Sequence, residues 1–196
     1  MSSLPQLMFL IAILVCAGSC NMVFVKSPLL RGLSLPMDGG RTLGDGKRLF
    51  GDNKTWKGFL GMLVLTAVWL AVAACLAMRF PEIQRLSLIA FNDFELPFNA
   101  WFYGSLWGLA YVLAELPNSF LKRRANIAPG KNADGRKGFM FLVVDQADSV
   151  LGCVLVLPLF ADITWLDGIA LVVLGSTIHY FSNLLLFAVR LKNQPG

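Results

Sequence analysis

Five long runs of apolar residues alternate with short polar segments along the chain. The runs cover residues 6–25, 58–79, 100–120, 139–161 and 168–189 and consist mostly of Leu, Val, Ala, Phe and Gly. Each is about 20 residues long, enough as a helix to cross the roughly 30 Å hydrocarbon core of a membrane. The pattern therefore predicts an all-α, polytopic membrane protein with five transmembrane helices, organised as a single integral membrane domain over residues 1–196.

The composition agrees with a membrane protein and excludes secreted, fibrous and disordered classes. Hydrophobic residues make up 56% of the chain and charged residues 15%, against roughly 45–50% and about 25% in soluble domains. The mean hydropathy is +0.64. We expect the four cysteines to be small buried residues, because all lie in apolar runs without the paired spacing of a zinc site. They are Cys16, Cys20, Cys75 and Cys153.

The basic residues predict the orientation in the membrane. Fifteen of the 17 Lys and Arg residues fall in the segments 26–57 and 121–138 and in the tail after residue 189, and two fall in residues 79–99. By the positive-inside rule the N-terminus lies outside and the C-terminus in the cytoplasm of an integral cell (inner) membrane protein. The net charge of +5 is thus explained by topology, and no nucleic-acid partner is expected.

Two polar segments on the cytoplasmic side carry the candidate chemistry. The first, Met37–Gly58, mixes glycines with basic residues, a combination that can bind a polyphosphate although it is not a Walker P-loop. The second, Pro117–Gly138, holds a basic cluster that on its own fits either an anionic-lipid contact or a phosphate clamp. The candidate residues are Arg41, Asp52, Lys54, Thr55 and Lys57 in the first segment and Ser119, Lys122, Arg123 and Arg124 in the second.

Polar side chains also lie inside three predicted spans, at a similar depth from the cytoplasmic end: Glu115, Asp145, Asp148, His179 and Asn183. Charged groups in a span are costly and need a reason. Asp145 and Asp148 share a helical face, so they suit Mg²⁺; alternatively, one is protonated or paired with a basic residue. A lone histidine is more often structural, but Asn183, one turn after His179, extends the same face.

Four motifs occur in a characteristic order and are followed by a Thr-Ile-His segment. They are DGGR (38–41), GDNKTWKG (51–58), SFLKRR (119–124) and DQAD (145–148), with Thr177, His179 and Asn183 closing the series. Together they resemble the CDP-archaeol synthase family, relatives of the phosphatidate cytidylyltransferases, over about residues 20–190. The family commonly has an aspartate and a glycine before the SFIKRR motif, where Glu115 and Asn118 stand here, and a loop glycine where Asn53 stands.

The resemblance implies a five-helix membrane enzyme that uses CTP and Mg²⁺ to convert an inner-leaflet lipid phosphate into a CDP-lipid, releasing pyrophosphate. Asp145 and Asp148 would bind the metal, and Lys122 and Arg123 would join them as catalytic residues. The remaining candidates would contact the substrates, with the division of phosphate contacts between the two basic segments left open. The acceptor is either an archaeol-type lipid or phosphatidic acid. The competing hypotheses are another phospholipid-modifying transferase and a non-enzymatic transporter or scaffold.

Overall fold

The fold is given by a computed structural model that describes residues 2–131 and 135–191, and throughout these residues the regular secondary structure is helical. Local signals fix where helices begin. Thr55 accepts a hydrogen bond from the Gly58 N–H, and Thr164 and Asp167 form a capping box. The helices are α1 (Leu4–Lys26), α2 (Trp56–Arg79), α3 (Pro81–Leu86), α4 (Phe98–Arg124), α5 (Gly135–Val156) and α6 (Trp165–Ala188).

Within the described residues, four helices are long and apolar enough to cross a membrane: α1, α2, α5 and α6. The α5 span includes the short turn that continues the helix to Leu159. The chain is therefore an integral, all-helical membrane protein. The third predicted span lies in α4, which has the length of a span and a more polar composition. The tail residue Lys192 and positions 132–134 of the second basic segment lie outside the described residues.

The third predicted span ends at residue 120, and the structure extends this helix by one turn. α4 continues through Pro117 to Arg124, so Ser119, Lys122 and Arg123 are helical residues. Pro117 lacks a backbone N–H and removes one helical hydrogen bond. The last turns nevertheless face the interior, since Asn118, Ser119 and Arg123 are all buried. The cysteine expectation is mostly wrong: only Cys153 is buried, and Cys75 is exposed on α2.

Small residues bring α4 close to both of its main neighbours. A Cβ on Gly108 would lie 2.7 Å from the Met62 carbonyl oxygen of α2, and a Cβ on Gly152 of α5 would lie 2.5 Å from the Ala110 carbonyl oxygen of α4. Such positions admit only glycine, and they allow backbones to approach closely where no hydrophobic effect drives helix association. α4 is thereby held between α2 and α5, and its polar face is directed into the bundle.

Candidate active site

The polar face of α4 forms one wall of a cavity of about 600 Å³. Tyr111, Glu115, Asn118 and Lys122 follow one another at intervals of three or four residues, which places them on a single side of the helix. The end of the bundle that holds the charged groups consists of the last turns of α1, α4 and α6 and the first turns of α2 and α5. The cavity volume lies in the usual range for small-molecule sites.

Asn118 lies between the two carboxylates of α5. Its Nδ2 donates to Asp145 Oδ1 at 2.6 Å and to Asp148 Oδ2 at 2.8 Å. Lys122 forms an ion pair with Asp145, so the sequence-based alternative of pairing with a basic residue is realised for this carboxylate. Within residues 2–131 and 135–191, Asp148 forms no ion pair; it accepts from Asn118 and from the Ser149 N–H.

A second ion pair connects the first basic segment to α4. Lys54 Nζ donates to Glu115 Oε2, and both side chains are about one-fifth exposed (22% each). Burial alone would lower the pKa of Lys54, but the nearby Glu115 carboxylate outweighs burial and raises it, with Asp148 and Asp145 adding to the effect. Lys54 therefore carries its positive charge into the cavity beside the α5 carboxylates.

Arg123 places a further positive charge at the cavity, and its guanidinium group has few partners within the protein. The residue is 6% exposed and lines the cavity, and its Nε and Nη1 are buried without a hydrogen-bond partner among the described residues. Gly51 and Pro129 close around it: a Cβ on Gly51 would lie 2.6 Å from Pro129 Cγ and 3.3 Å from Arg123 Nη1. Buried donors that the protein leaves unused suit an anionic ligand.

Asp38 organises the first basic segment around this site. Its carboxylate accepts hydrogen bonds from the backbone N–H groups of Gly40, Phe50 and Gly51 at 2.9–3.1 Å, and from Arg48 Nη2 at 2.6 Å. Burial would raise the pKa of Asp38, but the Arg48 guanidinium and these N–H groups hold it well below its usual range. Asp38 therefore fixes the position of Gly51 against Arg123.

We expect Asp38→Asn to loosen this segment at pH 7, with hydrogen exchange of the Gly40, Phe50 and Gly51 amides faster by about tenfold or more, because the substitution removes the charge that pairs with Arg48 and replaces one acceptor oxygen by an NH2 donor. In the native chain, the low folded pKa means that the stabilisation is complete above the unfolded value of about 3.9 and is lost as the pH falls below it. Asp52→Asn is the matched control, since Asp52 also pairs with Arg48 but is 71% exposed. Equal exchange in both variants would contradict the assignment.

Several sequence-predicted residues are not brought to the charged cluster. Lys57 is 1% exposed and donates to the Ser27 carbonyl at 2.7 Å and the Val25 carbonyl at 3.2 Å, which joins α2 to α1. Arg124 pairs with Asp45 and donates to the Arg48 carbonyl, which fastens the first segment to the end of α4. Arg41 is exposed outside the cavity lining.

Other predicted residues do line the cavity. Thr55 combines this position with its capping role, Asp52 lies at the rim, and Ser119 is buried. On α6, His179 Nε2 lies 3.3 Å from the Tyr111 hydroxyl, and Asn183 Nδ2 donates to Gln146 Oε1 at 2.8 Å. His179 and Asn183 therefore belong to the lining and also connect α6 to α4 and α5.

The sequence analysis did not propose Tyr111, Asn118 or Gln146 as site residues. It named Asn118 only as a departure from the family motif, and it treated Asp38 and Gln146 only as parts of motifs. The signal for the first two was present, because Tyr111 and Asn118 continue the spacing of Glu115 and Lys122 along one helical face. Gln146 lies between the two aspartates in sequence, but its side chain contacts Asn183 of α6. Sequence spacing does not indicate this contact. In the described part of the chain no group of three or more His, Cys, Asp or Glu side chains is placed to hold a metal ion.

Comparison with known proteins identifies the family. The family model for CarS-like CDP-archaeol synthases matches residues 6–195. The chain is 32% identical to the CDP-archaeol synthase of Thermofilum pendens over 91% of its length and 74% of the relative's. It is also 32% identical to that of Pyrococcus furiosus (87% and 89%) and 33% identical to that of Archaeoglobus fulgidus (85% and 87%). The chain belongs to the CDP-archaeol synthase family.

A solved structure has the same fold. It is described as an intramembrane enzyme for archaeal membrane lipid biosynthesis. The two chains superpose with a TM-score of 0.58 at 23% identity, covering 88% of this chain and 92% of the other. The helical arrangement is therefore shared along almost the whole length of both proteins.

Proposed function

We propose that this protein is a CTP-dependent cytidylyltransferase that converts a membrane lipid phosphate into a CDP-lipid and releases pyrophosphate. Family membership carries the reaction class. One structural observation supports it: a single cavity holds two carboxylates on one helical face and, beside them, the buried Arg123, whose Nε and Nη1 have no partner among the described residues. This arrangement suits a reaction between two phosphate-bearing substrates.

In the reaction, an oxygen of the lipid phosphate attacks the α-phosphorus of CTP. A new P–O bond forms there, the bond from the α-phosphorus to the bridging oxygen breaks, and pyrophosphate leaves. The lipid phosphate is already anionic near pH 7, so no general base is required. Such transfers depend on positioning and charge neutralisation. Lys54 would hold the triphosphate, and Lys122 and Arg123 would hold the lipid phosphate.

Asp145 and Asp148 fit a Mg²⁺ site. Mg²⁺ is commonly bound by one or two carboxylates, with waters and substrate phosphates as the other ligands, so a larger acidic cluster is not needed. When bound, Mg²⁺ would neutralise phosphate charge and polarise the α-phosphate. The protein would supply the two carboxylates, held at a fixed separation by the Asn118 amide, and Lys122 would limit their repulsion.

The proposed activity is tested with α-labelled CTP, Mg²⁺ and a panel of ether and ester lipid phosphates. We expect label in the lipid fraction and an equal amount of pyrophosphate, and the panel identifies the acceptor as archaeol-type or phosphatidic acid. Label that stays in water-soluble nucleotides with every lipid phosphate would exclude the cytidylyltransferase.

We also propose that α4 is the fifth span, that the N-terminus is outside, and that the site faces the cytoplasm. The distribution of Lys and Arg supports this topology. In a chain whose native cysteines are replaced, Thr42→Cys and Ala125→Cys should react with a membrane-impermeant thiol reagent only from the cytoplasmic side. Asn92→Cys should react only from outside. If the Thr42 and Ala125 positions were labelled from opposite sides, the single-site arrangement would be wrong.

A further inference from the structure

The cavity extends far beyond the charged groups, along the axis of the bundle. On α1 its lining runs from Lys26 back to Leu10, which at about 1.5 Å per residue corresponds to roughly 24 Å. Beyond Asp148 and His179, no charged side chain of the described residues lines it. The half-buried Leu14, Val15 and Gly18 of α1 line its inner part. The core residues Leu10, Cys153, Leu157 and Leu171, which are 1–3% exposed, close its far end. The cavity therefore has one charged end and one apolar end.

This layout matches an amphiphile with a phosphate at one end. Apolar cavities stay dry and accept hydrocarbon ligands, while polar groups at the other end fix orientation. The apolar part is bounded by α1, α5 and α6, and towards the charged end its lining includes the half-buried Met22 of α1 and Leu186 of α6. The space between α1 and α6 therefore connects with the charged end of the cavity.

Gly18 supplies a second, independent observation. It lies in the middle of α1 and lines the cavity, and a Cβ built on it meets nothing within 4 Å. By contrast, Gly61 and Gly108 occupy places where a Cβ would meet a neighbouring helix. Glycine weakens a helix relative to alanine, and at Gly18 close packing gives no compensation. The open space beside it is therefore available to a ligand.

We infer that one hydrocarbon chain of the lipid phosphate lies in the apolar part of the cavity and passes Gly18. This inference rests on the proposed function and assigns the chain a site between α1 and α6. Gly18 is then a specificity-determining position, because a large side chain there would occupy the volume through which the hydrocarbon chain passes.

The test is Gly18→Leu, measured with CTP and two lipid phosphates, one with long chains and one with short, six-carbon chains. We expect the KM for the long-chain substrate to rise by about tenfold or more, because contacts of several buried methylene groups are lost. The KM for the short-chain substrate and for CTP should change by less than about twofold. Gly18→Ala fills little volume and should behave almost as the native chain. Val23→Phe, on the exposed side of α1, controls for added bulk.

A binding readout makes the test independent of turnover. A long-chain lipid phosphate with a photoreactive group at the chain end should crosslink to residues 14–18 of the native protein, and Gly18→Leu should abolish that crosslink. Crosslinks confined to outer helix faces, or equal effects of Gly18→Leu on both substrates, would overturn the chain site. Failure of the native protein to form CDP-lipid from either substrate would overturn the proposed function instead.

Discussion

Asp148→Asn is expected to lower kcat/KM for CDP-lipid formation by roughly a hundred- to ten-thousand-fold, the range that several kcal/mol of lost transition-state stabilisation implies. Asp148 forms no ion pair within the described chain, so the substitution leaves no positive charge without its partner. Asparagine has the same shape and keeps one oxygen, but it cannot supply the negative charge of a Mg²⁺ ligand. Steady-state kinetics and thermal unfolding in detergent measure the two effects separately.

Asp145→Asn should lower activity to a similar extent and stability as well. Its carboxylate pairs with Lys122, whose side chain is only 13% exposed, and loss of one partner leaves a largely buried charge uncompensated. Adding Lys122→Met to this variant should therefore recover Tm without recovering activity. Comparing Asp145→Asn with the double variant therefore separates two roles of Asp145: its contribution to stability through the ion pair, measured by Tm, and its proposed role as a metal ligand, measured by activity.

Asp162→Asn is the control for both substitutions, because Asp162 is an exposed carboxylate at the opposite end of the bundle. It should leave kcat, KM and Tm unchanged. If Asp148→Asn and Asp145→Asn both retained activity close to that of the native protein, these aspartates would not be metal ligands, although the family assignment would stand.

The long helices could be predicted because each carries its own signal. Runs of about 20 apolar residues define α1, α2, α5 and α6 without reference to any neighbour. α4 was harder to delimit, because its apolar run ends at residue 120 whereas the helix continues to Arg124. The buried positions of Asn118 and Arg123 hold its last two turns in place. The helix propensity of a segment does not include its contacts with other helices, so it does not predict where such contacts extend a helix.

The charged cluster was predicted only in part. Because helix rise is constant, counting residues from the helix ends predicts Glu115, Asp145 and Asp148 at a similar level, and all three line the cavity. The partners of these residues depend on how each helix is rotated about its axis, which sequence spacing leaves free. The contacts of Asn118 with both aspartates were therefore not predicted.

The roles of the basic residues were the least predictable, since charge alone does not distinguish support of the fold from substrate binding. Lys54 enters the cavity, whereas Lys57, three residues later, is buried against carbonyl groups of α1 and its connection to the first segment. Arg123 and Arg124 are adjacent in sequence and differ by about 100° around the helix. One faces the cavity, and the other fastens the first basic segment.

That difference leads to the second large expected effect. Arg123→Ala should lower kcat/KM for the lipid phosphate by roughly 10- to 150-fold, the range expected when a charge-assisted contact worth about 1.5–3 kcal/mol is lost. Its Tm should be unchanged or higher, because the substitution removes a buried charge whose Nε and Nη1 have no partner among the described residues. Lys54→Ala should instead act mainly on the KM for CTP.

Arg124→Ala is the matched control, one residue away and equally basic. Its Nη1 pairs with Asp45 and its Nη2 donates to the Arg48 carbonyl, so its loss should lower Tm and speed hydrogen exchange in residues 45–48. Kinetics with each substrate varied in turn decide between the roles. A crossed pattern, with Lys54→Ala acting on the lipid and Arg123→Ala on CTP, would reverse the two assignments. Changes below about twofold in both variants would mean that these cations only set membrane orientation, a task that fifteen basic residues share.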